Sequence, residues 1–251
     1  MSPPSPQDPG PSADWQPPGE FDEYRLLRPL GRGRTGRVYL AHDTLLERTV
    51  AVKFIPTLDD EALSRFLIEA RAAARLQHPN VATLYRAGQF EDLPYLVSEY
   101  IRGTSLDQLP RPQPWQRVLD IGIGLARGLA AAHRRNVLHR DIKPANAILD
   151  EAGQVKLLDF GLAKLLDAPP EPSSEPSGDT PDAGPEAPPG AGTSSGELGL
   201  ASHSHSSLVG TPYFMAPEVW RGEPASVRSD LFSLGALLYE LAAGLGPFRH
   251  V

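Results

Sequence analysis

The apolar residues of this chain change their period once, and the change divides it. Up to Gly103 they fall in short runs rich in β-branched and aromatic residues. These runs are Tyr24–Leu30, Arg37–Ala41, Thr49–Ile55, Val81–Ala87 and Tyr95–Tyr100, the first three separated by glycine or polar residues, as strands are. One helical stretch interrupts them, Asp59–Leu76, with Leu63, Phe66, Leu67, Ala70, Ala73 and Ala74 on a stripe. Beyond Gly103 helical spacing takes over. Trp115–His133 puts Trp115, Val118, Leu119, Gly122, Ala126, Leu129 and Ala130 on one face, and short strand-like pieces follow at 147–149 and 155–158. A last helix, about Ser229–Ala243, carries Leu231, Leu234, Leu238 and Leu241 and stops at Gly244. The expected class is α+β. A lobe of five antiparallel strands and one helix spans 21–103, and a mainly α-helical second lobe spans 104–251.

Two segments cannot join either core. Residues 1–20 are rich in Pro, Ser and Gly and almost free of aliphatic side chains, so burial cannot offset their ordering entropy. From Asp167 to Ser207 there are seven acidic residues, no basic one, and eight prolines between Pro169 and Pro189. Both are expected to be disordered, the second as an insertion at 167–207. That insertion accounts for the net charge of −7. The rest balances 24 basic against 24 acidic residues and argues against a nucleic-acid partner. At 251 residues, 40% of them hydrophobic, the remainder can still bury a sizeable core. The absence of cysteine excludes disulfides and thiolate sites and suits a cytoplasmic location. No apolar run is long enough to span a membrane, and the N-terminus lacks a signal-peptide pattern.

Several residues carry possible chemistry. Gly31, Gly33 and Gly36 lie in Gly31-Arg-Gly-Arg-Thr-Gly-Arg-Val38, between two strand-like runs. Glycines so placed let a backbone approach a polyphosphate, although an ordinary hairpin turn fits equally well. A dinucleotide-binding turn is excluded, because it needs a helix directly after it. Lys53 stands alone in an apolar strand, and Glu69 lies on the apolar side of its helix. Each calls for a partner if buried. A snorkelling lysine and a solvated glutamate remain the alternatives. More specific is His139-Arg-Asp-Ile-Lys-Pro-Ala-Asn146, followed eighteen residues after Asp141 by Asp159-Phe-Gly161. Two carboxylates, an amide and a lysine in short loops suit Mg²⁺-dependent phosphoryl transfer. One carboxylate accepts a proton, and the other holds the ion with the amide oxygen.

Together these motifs resemble the eukaryotic-like protein kinase family, over about Tyr24 to Phe248. The resemblance implies a two-lobed fold, ATP and Mg²⁺, and a catalytic base at Asp141. It implies Asn146 and Asp159 as metal ligands, and Lys53 on the α- and β-phosphates, held by Glu69. Gly31, Gly33 and Gly36 would cover the nucleotide. Leu30, Val38, Ala51 and Ile148 would sandwich adenine, Glu99 and Ile101 would supply the hinge hydrogen bonds, and Ser98 would be a small gatekeeper opening a back pocket. Lys143 and the segment Gly210–Glu218 resemble the serine/threonine branch of bacterial type, with Thr211 at the acceptor site. The partner implied is a protein with a Ser or Thr acceptor. Arg140, Arg65 and Lys164 match a cationic pocket for a phosphorylated activation loop, with Ser202, Ser204, Ser206 and Ser207 as the expected autophosphorylation sites. Asp230 would anchor the backbone at His139 and Arg140.

The sequence departs from the family by the 167–207 insertion and by stopping soon after the helix that carries Asp230. The expectation is a catalytic domain truncated at its C-terminus, with Glu218 lacking its usual arginine. The alternative function is an ATP-binding but inactive scaffold.

Overall fold

The computed structural model describes residues 17–33, 36–56, 58–160 and 212–247, all within one compact unit. The insertion at 167–207, the serines within it, Gly161, Lys164 and Thr211 lie outside the described residues.

The N-terminal half is an antiparallel sheet. Its strands are β1 (Glu20–Phe21), β2 (Tyr24–Gly33), β3 (Gly36–Asp43), β4 (Arg48–Phe54), β5 (Leu84–Phe90) and β6 (Leu93–Glu99), in spatial order β1-β2-β3-β4-β6-β5. Five of these match the expected strands, and β1 adds a sixth. Phe21 explains it: the ring is buried among Tyr24, Phe54, Phe90 and Tyr95, with centroids 5.1 to 5.6 Å away, and draws the chain before it onto the sheet edge. The expected 1–20 tail is therefore corrected at its end, since Glu20 pairs with Arg25 and Gly19 accepts a hydrogen bond from the Leu26 amide.

Alternation along β4 sets the two faces. Val50, Val52 and Phe54 enter the core beside Phe21 and Tyr95, while Ala51 and Lys53 take the other side. Helix α1 (Asp60–Ala74) covers the sheet through Phe66 and Ala70, which cluster with Ile55 and Leu96. It begins where Asp59 accepts from the Ala62 amide at 2.7 Å, with Asp60 and Glu61 in its first turn.

The second half is built on α2 (Trp115–His133) and α4 (Val227–Ala243), with one turn of helix, α3 (Pro217–Trp220), between them. Strands β7 (Gly103–Ser105), β8 (Ala147–Asp150) and β9 (Val155–Leu157) form a small sheet in that order. Its core joins Leu76 and Val81 from the first half to Leu106, Leu125, Leu129, Ile142, Leu157, Leu237 and Leu241. Each such side chain contributes roughly 1.5–3 kcal/mol on burial.

The face of α2 differs from the one expected. Trp115 and Leu119 are 68% and 53% exposed, and Ala126 and Ala130 also face out. The helix buries the expected Leu129, but with Ile121, Gly124, Leu125, Gly128, Ala131 and Ala132 around it. This helix is apolar nearly all round, so periodicity does not fix its phase; two glycines do. A Cβ on Gly124 would lie 2.4 Å from Val155 Cγ1, and one on Gly128 2.8 Å from the Asn80 carbonyl oxygen. Helix α4 follows its expected stripe at Leu234 and Leu241, with Leu238 over Gly122 of α2, but Leu231 is 51% exposed. It opens with a Ser226–Ser229 capping box and ends at Gly244, whose φ of 84° suits glycine. Among the described residues, no helix is long and apolar enough to cross a membrane.

Candidate active site

The site grows from the short loops that the two halves bring together. Hairpin β2–β3 carries the glycines, with Gly31 opposite Val38 and Gly33 opposite Gly36. Gly36 has a φ of +128°, and a Cβ there would fall 2.0 Å from the Phe54 carbonyl oxygen. At Gly31 and Gly33 a Cβ would meet nothing within 4 Å. One glycine is thus required by the fold, and two border open space. Leu30, Val38, Ala51 and Ile148 are partly exposed, and Ala51 pairs with Ser98 across β4 and β6. Ser98 is half-buried.

Lys53 and Glu69 do not meet as expected. The Lys53 ammonium donates to Asp159 Oδ2 at 2.7 Å, and Glu69 Oε1 accepts from Arg140 Nη1 at 3.3 Å. Arg65 is likewise engaged, on Glu61 at 2.9 Å. Each cation has found the carboxylate that neutralises it, so the expected cluster of unpaired positive charges is not formed by Arg65 and Arg140.

Around Asp141 the geometry is tight. Lys143 Nζ donates to Asp141 Oδ2 at 2.7 Å, and Asn146 Nδ2 donates to the same oxygen and to the Asp141 carbonyl, both at 2.8 Å. The one-turn helix Pro144–Asn146 sets that reach, and the Leu158 amide bonds the Asn146 carbonyl oxygen at 2.9 Å. Six non-glycine residues among those described have positive φ. Four lie in turns, and the other two are Arg140 at 63° and Asp159 at 46°. Such strain collects where surrounding contacts hold a side chain for function.

Those contacts come from Asp230. It is 2% exposed and accepts from the His139 and Arg140 amides, each at 2.8 Å, as anticipated. His133 Nε2 lies 2.8 Å from Asp230 Oδ2, a contact that the sequence reading missed. His139 is fully buried, stacks against Phe160 at 4.9 Å, and accepts the Asp141 amide on Nδ1. Burial holds its pKa below the ordinary imidazole value. The unfolded state thus binds the proton more readily. Stability from this residue is complete above about pH 6.5 and falls as pH drops below it. Thermal melts from pH 8 to 5 should show a steeper loss for the native protein than for His139→Gln.

Glu218 has found another partner as well: its Oε1 accepts from Ser229 Oγ at 3.0 Å. Glu99, expected at the hinge, is held from two sides, by Thr83 and by Lys156. Lys156 was missed, though it carries the signal that singled out Lys53: a lone lysine in an apolar strand.

Comparison with known proteins identifies the family. The protein kinase domain family matches residues 24–251. The probable serine/threonine-protein kinase SCO3848 of Streptomyces coelicolor is 36% identical over 235 residues, and the serine/threonine-protein kinase PrkC of Bacillus subtilis 32% over 231. Each match covers 90% of this chain but 31% of the relative, so the chain spans under a third of the length of these two curated relatives. The kinase domain of Mycobacterium tuberculosis PknI superposes with a TM-score of 0.64 at 27% identity, covering 92% of this chain and 78% of that one. By fold, motifs and matched span, the chain belongs to the protein kinase domain family.

Proposed function

We propose that the chain is a serine/threonine protein kinase region that transfers the γ-phosphoryl group of ATP to a protein hydroxyl. The observation that carries this reading is the convergence of Lys143 and Asn146 on one oxygen of Asp141, with the Lys53–Asp159 pair in the neighbouring loop. Asp141 accepts the proton of the attacking Ser or Thr hydroxyl as its oxygen bonds to phosphorus and the bond from phosphorus to the β-phosphate oxygen breaks. ADP leaves as the product. Lys143 and Asn146 fix the plane of the carboxylate. Lys53 supplies a positive charge for the α- and β-phosphates, and Gly31 and Gly33 leave room for a chain of phosphates beside the hairpin.

The residues fit a Mg²⁺ ion. With Nδ2 of Asn146 committed to Asp141, Oδ1 is the amide atom left for a hard cation, and Asp159 is partly exposed, at 38%. Asn146 and Asp159 would hold the ion, which supplies charge neutralisation to the phosphate oxygens. Lys53 now gives Asp159 the positive charge that the cation would bring.

The acceptor class rests on Lys143 and on the names of the relatives. Two peptides differing only by Ser or Tyr at the acceptor position test it. Labelled phosphate on the serine peptide alone supports the reading. Equal or preferential tyrosine labelling contradicts it.

A further inference from the structure

Glu99 ends β6 and begins the segment proposed to read the nucleotide base. Its position is fixed by an arrangement that no catalytic motif contains. The Glu99 amide donates to the Thr83 carbonyl at 2.8 Å, and the Thr83 amide donates back to Glu99 Oε2 at 3.2 Å. The other carboxylate oxygen, Oε1, takes the Lys156 ammonium. Both side chains are largely covered, at 17% and 25% exposure, so the pair is screened less than a surface ion pair.

Lys156 is well placed for this. Its neighbours Val155 and Leu157 are buried on one side of β9, and alternation sends Lys156 to the other. Its register partner on β8 is Ile148, the residue assigned to the adenine sandwich. At the far end of the same segment, the Glu151 amide donates to the Arg102 carbonyl at 3.2 Å, and Gly103 pairs with Asp150. A Cβ on Gly103 would lie 2.2 Å from the Leu149 carbonyl oxygen. The segment 99–103 is therefore tied down at both ends, and Lys156 is the only one of these ties that depends on a charge.

We propose that Lys156 is a positioning residue for the nucleotide base, acting through Glu99 to hold the hinge backbone in its base-reading conformation. The proposal rests on the kinase reading of the site. Without the ammonium, a largely covered carboxylate loses its counterion, keeps only the Thr83 amide and turns toward water. Thr83 then loses its acceptor, and the hinge must be ordered anew each time a base binds. The cost falls on binding of the base and not on the phosphoryl transfer step.

The test is the affinity of the folded chain for Mg-ADP and for adenosine, with kcat and KM for ATP measured beside it. Lys156→Met is expected to weaken both ligands by the same factor, about tenfold, and to raise KM with kcat nearly unchanged. Lys156→Gln, which keeps a donor but no charge, should fall between the two, and Lys156→Arg should restore affinity. Glu99→Gln in the Lys156→Met background should recover most of the loss, because an amide oxygen can accept from Thr83 without a counterion. A lower melting temperature with unchanged affinity would make Lys156 merely structural and overturn the proposal. So would a loss for Mg-ADP but not for adenosine. If the native protein is folded and binds no nucleotide, the kinase reading falls, and this inference falls with it.

Discussion

Asp141→Asn is expected to slow phosphoryl transfer by about a thousandfold while leaving nucleotide affinity within about threefold. The amide is nearly isosteric and can still accept from Lys143 and Asn146, which now donate to Asp141 Oδ2 at 2.7 and 2.8 Å. What it cannot do is take up the proton of the attacking hydroxyl. The effect therefore appears in kcat and not in binding, because an interaction made only as the hydroxyl attacks contributes nothing to the ground state. Steady-state rates and a binding titration on the same preparation separate the two. A loss shared equally between them would assign Asp141 to holding the site together.

Asp230→Ala is expected to destabilise the fold by roughly 3–5 kcal/mol, as removal of one side of a buried charged network does. The carboxylate accepts from the His139 and Arg140 amides at 2.8 Å and sits 2.8 Å from His133 Nε2. Alanine leaves those groups without an acceptor in a site where Asp230 is only 2% exposed. Arg140 holds a φ of 63° beside it, so the loss also releases a conformation that these contacts maintain. Asp230→Asn should cost less, since one amide oxygen can still accept. Urea denaturation reads both. A shift under 1 kcal/mol for the alanine variant would mean that the His139–Arg140 turn is held by something else.

The cluster proposed as catalytic was legible in the sequence because its contacts are local. Asp141, Lys143 and Asn146 lie within six residues, and a one-turn helix is enough to bring them together. Asp230 was legible only through the resemblance, which implied that it holds the backbone at His139 and Arg140, as it does. Choices between equivalent partners were not legible. Lys53 could meet Glu69 or Asp159, and Arg140 could meet an incoming phosphate or Glu69. Nothing in spacing decides between two opposite charges that both come within reach in the folded chain.

The phase of α2 failed for a similar reason. Its apolar residues outnumber one face, and the deciding feature is the close approach of Gly124 and Gly128 to Val155 and Asn80, a contact between segments distant in sequence. The edge strand β1 was hidden by composition. A Pro-rich tail gives no periodicity, and a single ring, Phe21, ends it. Lys156 and Thr83 escaped notice because their role exists only once β9, β6 and the loop before β5 are side by side.

The ion pairs around Asp159 and Asp141 are proposed to belong to a Mg-nucleotide site and not to a purely structural network. Calorimetric titration of the 251-residue chain with ADP, with and without Mg²⁺, for the native protein and for Asp159→Asn, tests it most directly. A single site whose affinity depends on the metal is expected, with that dependence lost in the variant. Binding that ignores both the metal and the substitution, or a folded native chain that binds no nucleotide, would contradict it.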